Sequence, residues 1–137
     1  MRQPSTVSSG VFRRDAASGV PAYRQIIDQI LGGIAAGTLA PGAQLPTVRQ
    51  LAVDLAVNPN TVVRAYRELE IRGVLDTQQG VGTFVTTASI MPDEAERQRQ
   101  LDQLVGEFMA RAGSAGFTAD DVIERVREFV SEQGRQS

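Results

Sequence analysis

A mostly α-helical fold with a small two-stranded β-ribbon is what this 137-residue sequence predicts. Three observations carry it. Residues 47–71 hold two runs with apolar residues at helical spacing, separated by a short break that ends in a capping residue. Residues 74–85 hold two short β-prone runs around a glycine-rich tip. Residues 101–130 hold two further helical stripes, divided by glycines and a second capping signal. Helix, tight turn, helix and ribbon, in that order, make a winged helix-turn-helix domain, here followed by a two-helix C-terminal extension.

The first ten residues are rich in Ser, Thr and Gln without periodicity, which predicts disorder over 1–10. Val11, Phe12 and Arg13 read as a short strand. A helix over 22–36 follows, with Tyr23, Ile26, Ile27, Ile30, Leu31 and Ile34 as its core stripe. Gly32 and Gly33 inside it each cost about 1 kcal/mol relative to Ala, so packing must offset a weak local preference. Gly37 suits the helix C-terminus, and Pro41-Gly42 a turn that returns the chain to the core.

Thr47 can cap the next helix, with Gln50 at the third helical position completing a capping box. Val48, Leu51, Ala52 and Leu55 form its single apolar stripe. After a break at Ala56-Val57, Asn58 and Pro59 supply an N-cap and a proline at the first helical position. Val57 and Val62 are spaced for a hydrophobic staple. On the helix that follows, Val62, Ala65, Tyr66 and Leu69 share one face, and Asn60, Val63, Arg64 and Arg67 the opposite one, with Thr61 and Glu68 at the edge. Such a helix suits insertion into a major groove, where Arg forks onto guanine and Asn onto adenine. The bland alternative is an amphipathic pair with a solvated arginine face; the complete order of helix, turn, helix and wing argues against it. Gly73 ends the helix, and Val74 to Thr77 and Thr83 to Val85 flank the tip Gln78-Gln79-Gly80-Val81-Gly82. No helix follows that tip, so it is not a nucleotide-binding loop.

At these residues the chain resembles the GntR family of bacterial transcription regulators, and within it the YtrA-type subfamily. The shared pattern is P-x-Y-x-Q-I, G-x-L-x-P-G, L-P-S/T-V-R-x-L-A, V-N-P-N-T-V and A-Y-x-x-L-E. The sequence carries Pro21-Ala22-Tyr23-Arg24-Gln25-Ile26, Gly37-Thr38-Leu39-Ala40-Pro41-Gly42, residues 45–52, 57–62 and 65–70, and Gly80-Val81-Gly82-Thr83-Phe84-Val85. The resemblance covers residues 11–86, and its VNPNTV and GxGTFV pieces are specific. It implies a domain over 11–86 that binds an operator in double-stranded DNA. It also implies DNA contacts at Arg49, Thr61, Gln79 and Gly80, and a role at transporter operons. From the residues themselves we add Thr47, Asn58, Asn60, Arg64, Arg67 and Gly82 to the candidate interface. Wings of this family often carry a cation before the glycines; this one has Gln78-Gln79.

Residues 87–93 read as a linker, and 94–134 as a helical hairpin for dimerisation or effector binding. Leu101, Leu104, Val105, Phe108, Met109 and Ala112 recur at helical spacing up to Gly113. Thr118 and Asp121 form a capping box opening a second helix, with Val122, Ile123, Val126, Phe129 and Val130 on one face. Two helices of this size cannot enclose a core alone. The same hairpin of a second chain is the expected partner, giving a homodimer through Leu101, Leu104, Val105, Phe108, Met109, Val122, Val126, Phe129 and Val130. Docking onto the chain's own first domain is the alternative, and the resemblance implies the dimer. Phe108, Met109 and Phe129 could instead line a pocket for a small-molecule effector of unknown identity, but such a stripe is more often core. Asp120, Asp121 and Glu124 could attract a divalent ion, although carboxylates also favour a helix N-terminus through its dipole.

Composition narrows the chemistry. The sequence has no cysteine and no histidine, and all fourteen basic residues are arginine. Thiolate and imidazole metal sites, a histidine base, a Schiff-base lysine and a phosphate-loop lysine are therefore excluded. No cofactor and no enzymatic activity are expected. Without an apolar span or signal core, the expected location is the cytoplasm, with no membrane contact. Residues 1–85 carry eight Arg against six Asp/Glu, a net of +2, and residues 86–137 six Arg against ten, a net of −4. The basic half coincides with the reading head. The expected function is sequence-specific transcriptional regulation, as a repressor dimer on a palindromic operator. The alternative is a winged helix used for protein contact without DNA.

Overall fold

The computed structural model describes residues 7, 9–87 and 93–136, which separate into two compact units at the boundary between Thr87 and Ala88. Most of the expected disorder over 1–10 and of the linker lies outside the described residues. The first unit contains α1 (Ala22–Ala36), α2 (Val48–Leu55), α3 (Pro59–Ile71), β1 (Leu75–Gln78) and β2 (Gly82–Val85). The second contains α4 (Glu94–Ser114) and α5 (Ala119–Gln136) as far as Glu132. The mostly helical fold with a two-stranded antiparallel wing and a C-terminal helix pair is as the sequence predicts.

In the first unit α1 and α2 both pack on α3, and the wing follows directly from it. Ile26, Ile27, Ile30, Leu51, Val62 and Leu69 are the largest fully buried side chains, drawn from all three helices. Leu75 and Val85 close the base of the wing. Burying a side chain of this size is worth about 1.5–3 kcal/mol, so the three apolar stripes supply the cohesion that local propensity lacks.

The ends of α2 and α3 are built as the sequence specifies. Thr47 accepts the Gln50 amide at 3.1 Å and the Gln50 side chain returns to the Thr47 amide at 3.2 Å, a complete capping box. Asn58 accepts the Asn60 amide at 2.8 Å ahead of Pro59. Beyond α3, Gly73 adopts φ +78°, and the Val74 amide donates to the Leu69 carbonyl at 2.9 Å, a Schellman closure that turns the chain into β1.

Three expectations are corrected. Val11, Phe12 and Arg13 do not form a strand: Ser9–Val11 is a 3-10 turn, and Phe12 is buried in the core. The reason lies on α1, where Gln29 bonds both the amide and the carbonyl of Arg13. Gln25 likewise bonds the amide and carbonyl of Asp15. Two glutamine side chains thus replace a strand ladder. Folded structure also begins earlier than residue 11, since the Val7 amide donates to the Gln44 carbonyl at 2.8 Å. Second, Gly113 lies inside α4, which runs to Ser114; the left-handed glycine is Gly116, at φ +91°. A glycine within a helix only weakens it, whereas the turn to α5 needs positive φ. Third, the strands reach one residue further into the tip, where Gln78 pairs with Gly82.

In the second unit Asp93, assigned above to the linker, caps α4 by accepting the Glu96 amide at 2.7 Å. Thr118 and Asp121 form the expected capping box, with amide bonds of 3.2 and 2.9 Å. The Thr118 amide and hydroxyl hold the Asp121 carboxyl below its usual pKa. Among the described residues no cluster of three acidic side chains could hold a metal ion. No described helix is long and apolar enough to cross a membrane.

Candidate nucleic-acid interface

The candidate surface is built on α3 because one face of that helix is spent entirely on the core. Val62, Ala65 and Leu69 are fully buried, and Tyr66 nearly so. The Tyr66 hydroxyl donates to the Pro46 carbonyl at 2.8 Å, tying α3 to the residues that open α2. Burial pushes that hydroxyl's pKa well above the ordinary tyrosine value, so it remains a neutral donor. With this face fixed, Asn60, Arg64 and Arg67 are exposed, and Thr61 and Val63 half-exposed at its edge. Arg49 is exposed on α2.

Charge on this surface is unspent. Elsewhere in the same unit Arg24 pairs with Asp28 and Arg72 with Glu68, each at 3.7 Å. Among the described residues Arg49, Arg64 and Arg67 have no carboxylate partner and no hydrogen bond. Arg64 is exposed opposite the core face, where the wheel sets it, and also touches a neighbouring helix. Its guanidinium lies over the ring of Tyr23 on α1, 3.7 Å from the centroid.

Two of the candidates are partly occupied by the fold itself. The Thr47 hydroxyl accepts the Gln50 amide and bonds the Gln50 side chain at 3.1 Å, which uses its donor and one acceptor position. The Asn58 carbonyl oxygen is taken by the cap, leaving its amide nitrogen for an acceptor such as phosphate.

Gln79, Gly80 and Val81 form the exposed tip of the wing, with the Val81 amide donating to the Gln78 carbonyl at 3.0 Å. Gly80 sits at φ +75° and Gly82 at φ +150°, conformations that glycine adopts without steric cost. The wing is anchored at both sides. Thr77 donates to Glu70 near the end of α3 at 2.6 Å. The Gln44 side chain donates to the Val81 carbonyl at 3.3 Å.

Sequence reasoning missed this second anchor. Residues 42–45 run beside β2: Leu45 donates to Thr83, Val85 to Ala43 and Gly42 to Val85, at 2.8–2.9 Å. The only signal was the alternation of buried Ala43 and Leu45 around Gln44, too short to mark a strand.

On the C-terminal hairpin, Leu101, Leu104, Val105, Phe108, Val126, Phe129 and Val130 are all exposed, Leu104 at 63% and Phe108 at 58%. Met109 and Val122 are half-buried. Phe117, which the sequence reading did not select, is 59% exposed just after Gly116. A groove between α4 and α5 is lined by Phe108, Ala112, Phe117, Val122 and Val126, but not by Met109 or Phe129.

Comparison with known proteins agrees with this architecture. The family described as bacterial regulatory proteins, gntR family, matches residues 22–85. The HTH-type transcriptional regulator YhcF of Bacillus subtilis is 36% identical over 82% of this chain and 92% of its own. The HTH-type transcriptional repressor YtrA of the same organism is 32% identical over 84% of this chain and 88% of its own. A solved GntR family transcriptional regulator from Listeria monocytogenes superposes with a TM-score of 0.58 at 32% identity, covering 84% of this chain and 98% of that one. The chain belongs to the gntR family of bacterial regulatory proteins and is a YtrA-type, helix-turn-helix, DNA-binding transcriptional regulator.

Proposed function

We propose that the protein is a cytoplasmic repressor that binds a palindromic operator as a homodimer, with a transporter operon as its target. The observation that carries the DNA-facing part is the set of three arginines without carboxylate partners, Arg49, Arg64 and Arg67, on the exposed side of the helix-turn-helix. Each cation that meets a phosphate releases condensed counterions, which is the main source of DNA affinity. Asn60, Thr61, Arg64 and Arg67 read or flank base edges from α3, and Arg49 holds the backbone from α2. Asn58 and Thr47 sit at helix N-termini, where backbone amides favour an anion. Gln79, Gly80 and Gly82 bring the wing close to the adjoining backbone. The repressor assignment follows from the likeness to YtrA, which is described as a repressor, and the transporter assignment from the family resemblance alone.

Dimerisation is supported by the apolar face of the hairpin. A row of eight exposed large apolar side chains on two helices, Ile123 among them, is the kind of surface that a second copy covers. The test joins both parts. The parent protein selects duplexes from a random library, and Arg64→Ala is then compared on the selected operator and on random DNA. Losing a base-reading arginine should cost about 1–3 kcal/mol of operator binding and relax one position of the site. Unchanged binding to both duplexes would remove Arg64 from the interface, and selection of no palindrome would remove the dimeric reading.

A further inference from the structure

We propose that Tyr23 is a positioning residue for DNA binding, its ring holding the Arg64 guanidinium in place at the seam between α1 and α3. The inference rests on the reading of α3 as the DNA-facing helix. The guanidinium carbon lies 3.7 Å from the ring centroid, close enough for a cation–π contact. Tyr23 is half-buried and packs against the core, so the ring is the fixed member of the pair. Arg64 is exposed and has neither a hydrogen bond nor a carboxylate partner among the described residues.

The contact therefore restrains the cation without consuming its N–H donors, which lie in the plane of the guanidinium and remain available for phosphate or a base edge. An unrestrained arginine must give up its rotamer freedom on binding. A ring that already selects the side chain's position removes part of that cost. Tyr23 needs no contact with DNA to do this. It acts through Arg64, and α1 thereby contributes to recognition without approaching the duplex.

The probe is the operator duplex selected by the parent protein. A cation–π contact at an exposed site raises the population of the held rotamer, and with it affinity, by up to about 2- to 5-fold per protomer, or up to about 4- to 25-fold for a dimer. Tyr23→Leu should weaken operator binding by that range, while Tyr23→Phe should bind as the parent does. In an Arg64→Ala background, Tyr23→Leu should produce no further loss. A packing role alone would weaken binding in both backgrounds and would not distinguish ring electronics. Replacing Tyr23 with trifluorophenylalanine keeps the shape and depletes the ring face of negative charge. It should reproduce the leucine loss, and it tests the proposal even where the leucine variant misfolds. Parental affinity in both ring variants, or a loss that adds in full to that of Arg64→Ala, overturns the proposal. If Arg64→Ala itself binds like the parent, the arginine is not at the DNA and the assignment of α3 falls with it. If Arg64→Ala weakens binding and the ring variants do not, only the role of Tyr23 falls.

Discussion

Gly33 costs helix propensity, and the sequence offers no reason for it. The structure supplies one. A Cβ at Gly33 would lie 2.9 Å from Cγ of Leu39, whose side chain is buried against this stretch of α1. The Gly33 carbonyl also accepts the Thr38 and Leu39 amides. Gly33→Ala gains about 1 kcal/mol of propensity but meets an overpacking cost of about 1–3 kcal/mol. Urea denaturation should therefore show a net loss of about 1 kcal/mol; a gain would mean that Leu39 shifts at little cost. Tyr66 carries a second prediction. Tyr66→Phe leaves the buried Pro46 carbonyl without its donor and should cost about 1–3 kcal/mol. Because burial raises the hydroxyl's pKa on folding, its contribution is complete below the unfolded tyrosine pKa of about 10 and declines as pH rises above it. The phenylalanine variant should lose that alkaline dependence. An identical decline in parent and variant would assign it to other groups.

At the scale of elements, caps and turns were legible because each is a local rule. Thr47 with Gln50, Asn58 with Pro59, Gly73, and Thr118 with Asp121 all form as their spacing requires. The wing was legible in kind but not in length, since the ladder continues to Gln78 and Gly82 through backbone groups that no side-chain pattern marks. Its chemistry bears on salt dependence. Gln79 is at the exposed tip and is neutral. If only Arg49, Arg64 and Arg67 meet phosphates, a dimer neutralises about six, for a log–log salt slope no steeper than about −5. Gln79→Arg should tighten binding to operator and random DNA alike and steepen the slope by up to about 2 per dimer. No change in affinity or slope would place the tip away from the backbone.

For the whole molecule, the proposed function assigns DNA reading to the first unit and assembly to the helical hairpin. The first unit has a closed core, whereas the hairpin leaves its apolar stripe exposed. A chain ending after Thr87 should stay folded, sediment as a monomer, and bind the operator far more weakly than the full chain. The loss follows from linkage: two heads joined in one dimer engage half-sites about one helical turn apart, so the second contact is effectively intramolecular. Sedimentation of the truncated chain as a dimer would move the interface into the first unit.

The sequence by itself determined the order of the helices and wing strands, the buried faces of α1, α2 and α3, and the capped starts of α2, α3 and α5, because periodicity and capping depend on neighbours within a few residues. Its quoted motifs also sufficed to point to the family. What only the tertiary structure decided depends on residues far apart in the chain. Gln25 and Gln29 satisfy the backbone around Phe12 where a strand was expected. Gln44 braces a wing tip 37 residues away. Arg64, which a helical wheel leaves pointing into solvent, rests on the ring of Tyr23 from another helix. A wheel describes one helix at a time; a side chain as long as arginine goes where the neighbouring element offers its cation a partner.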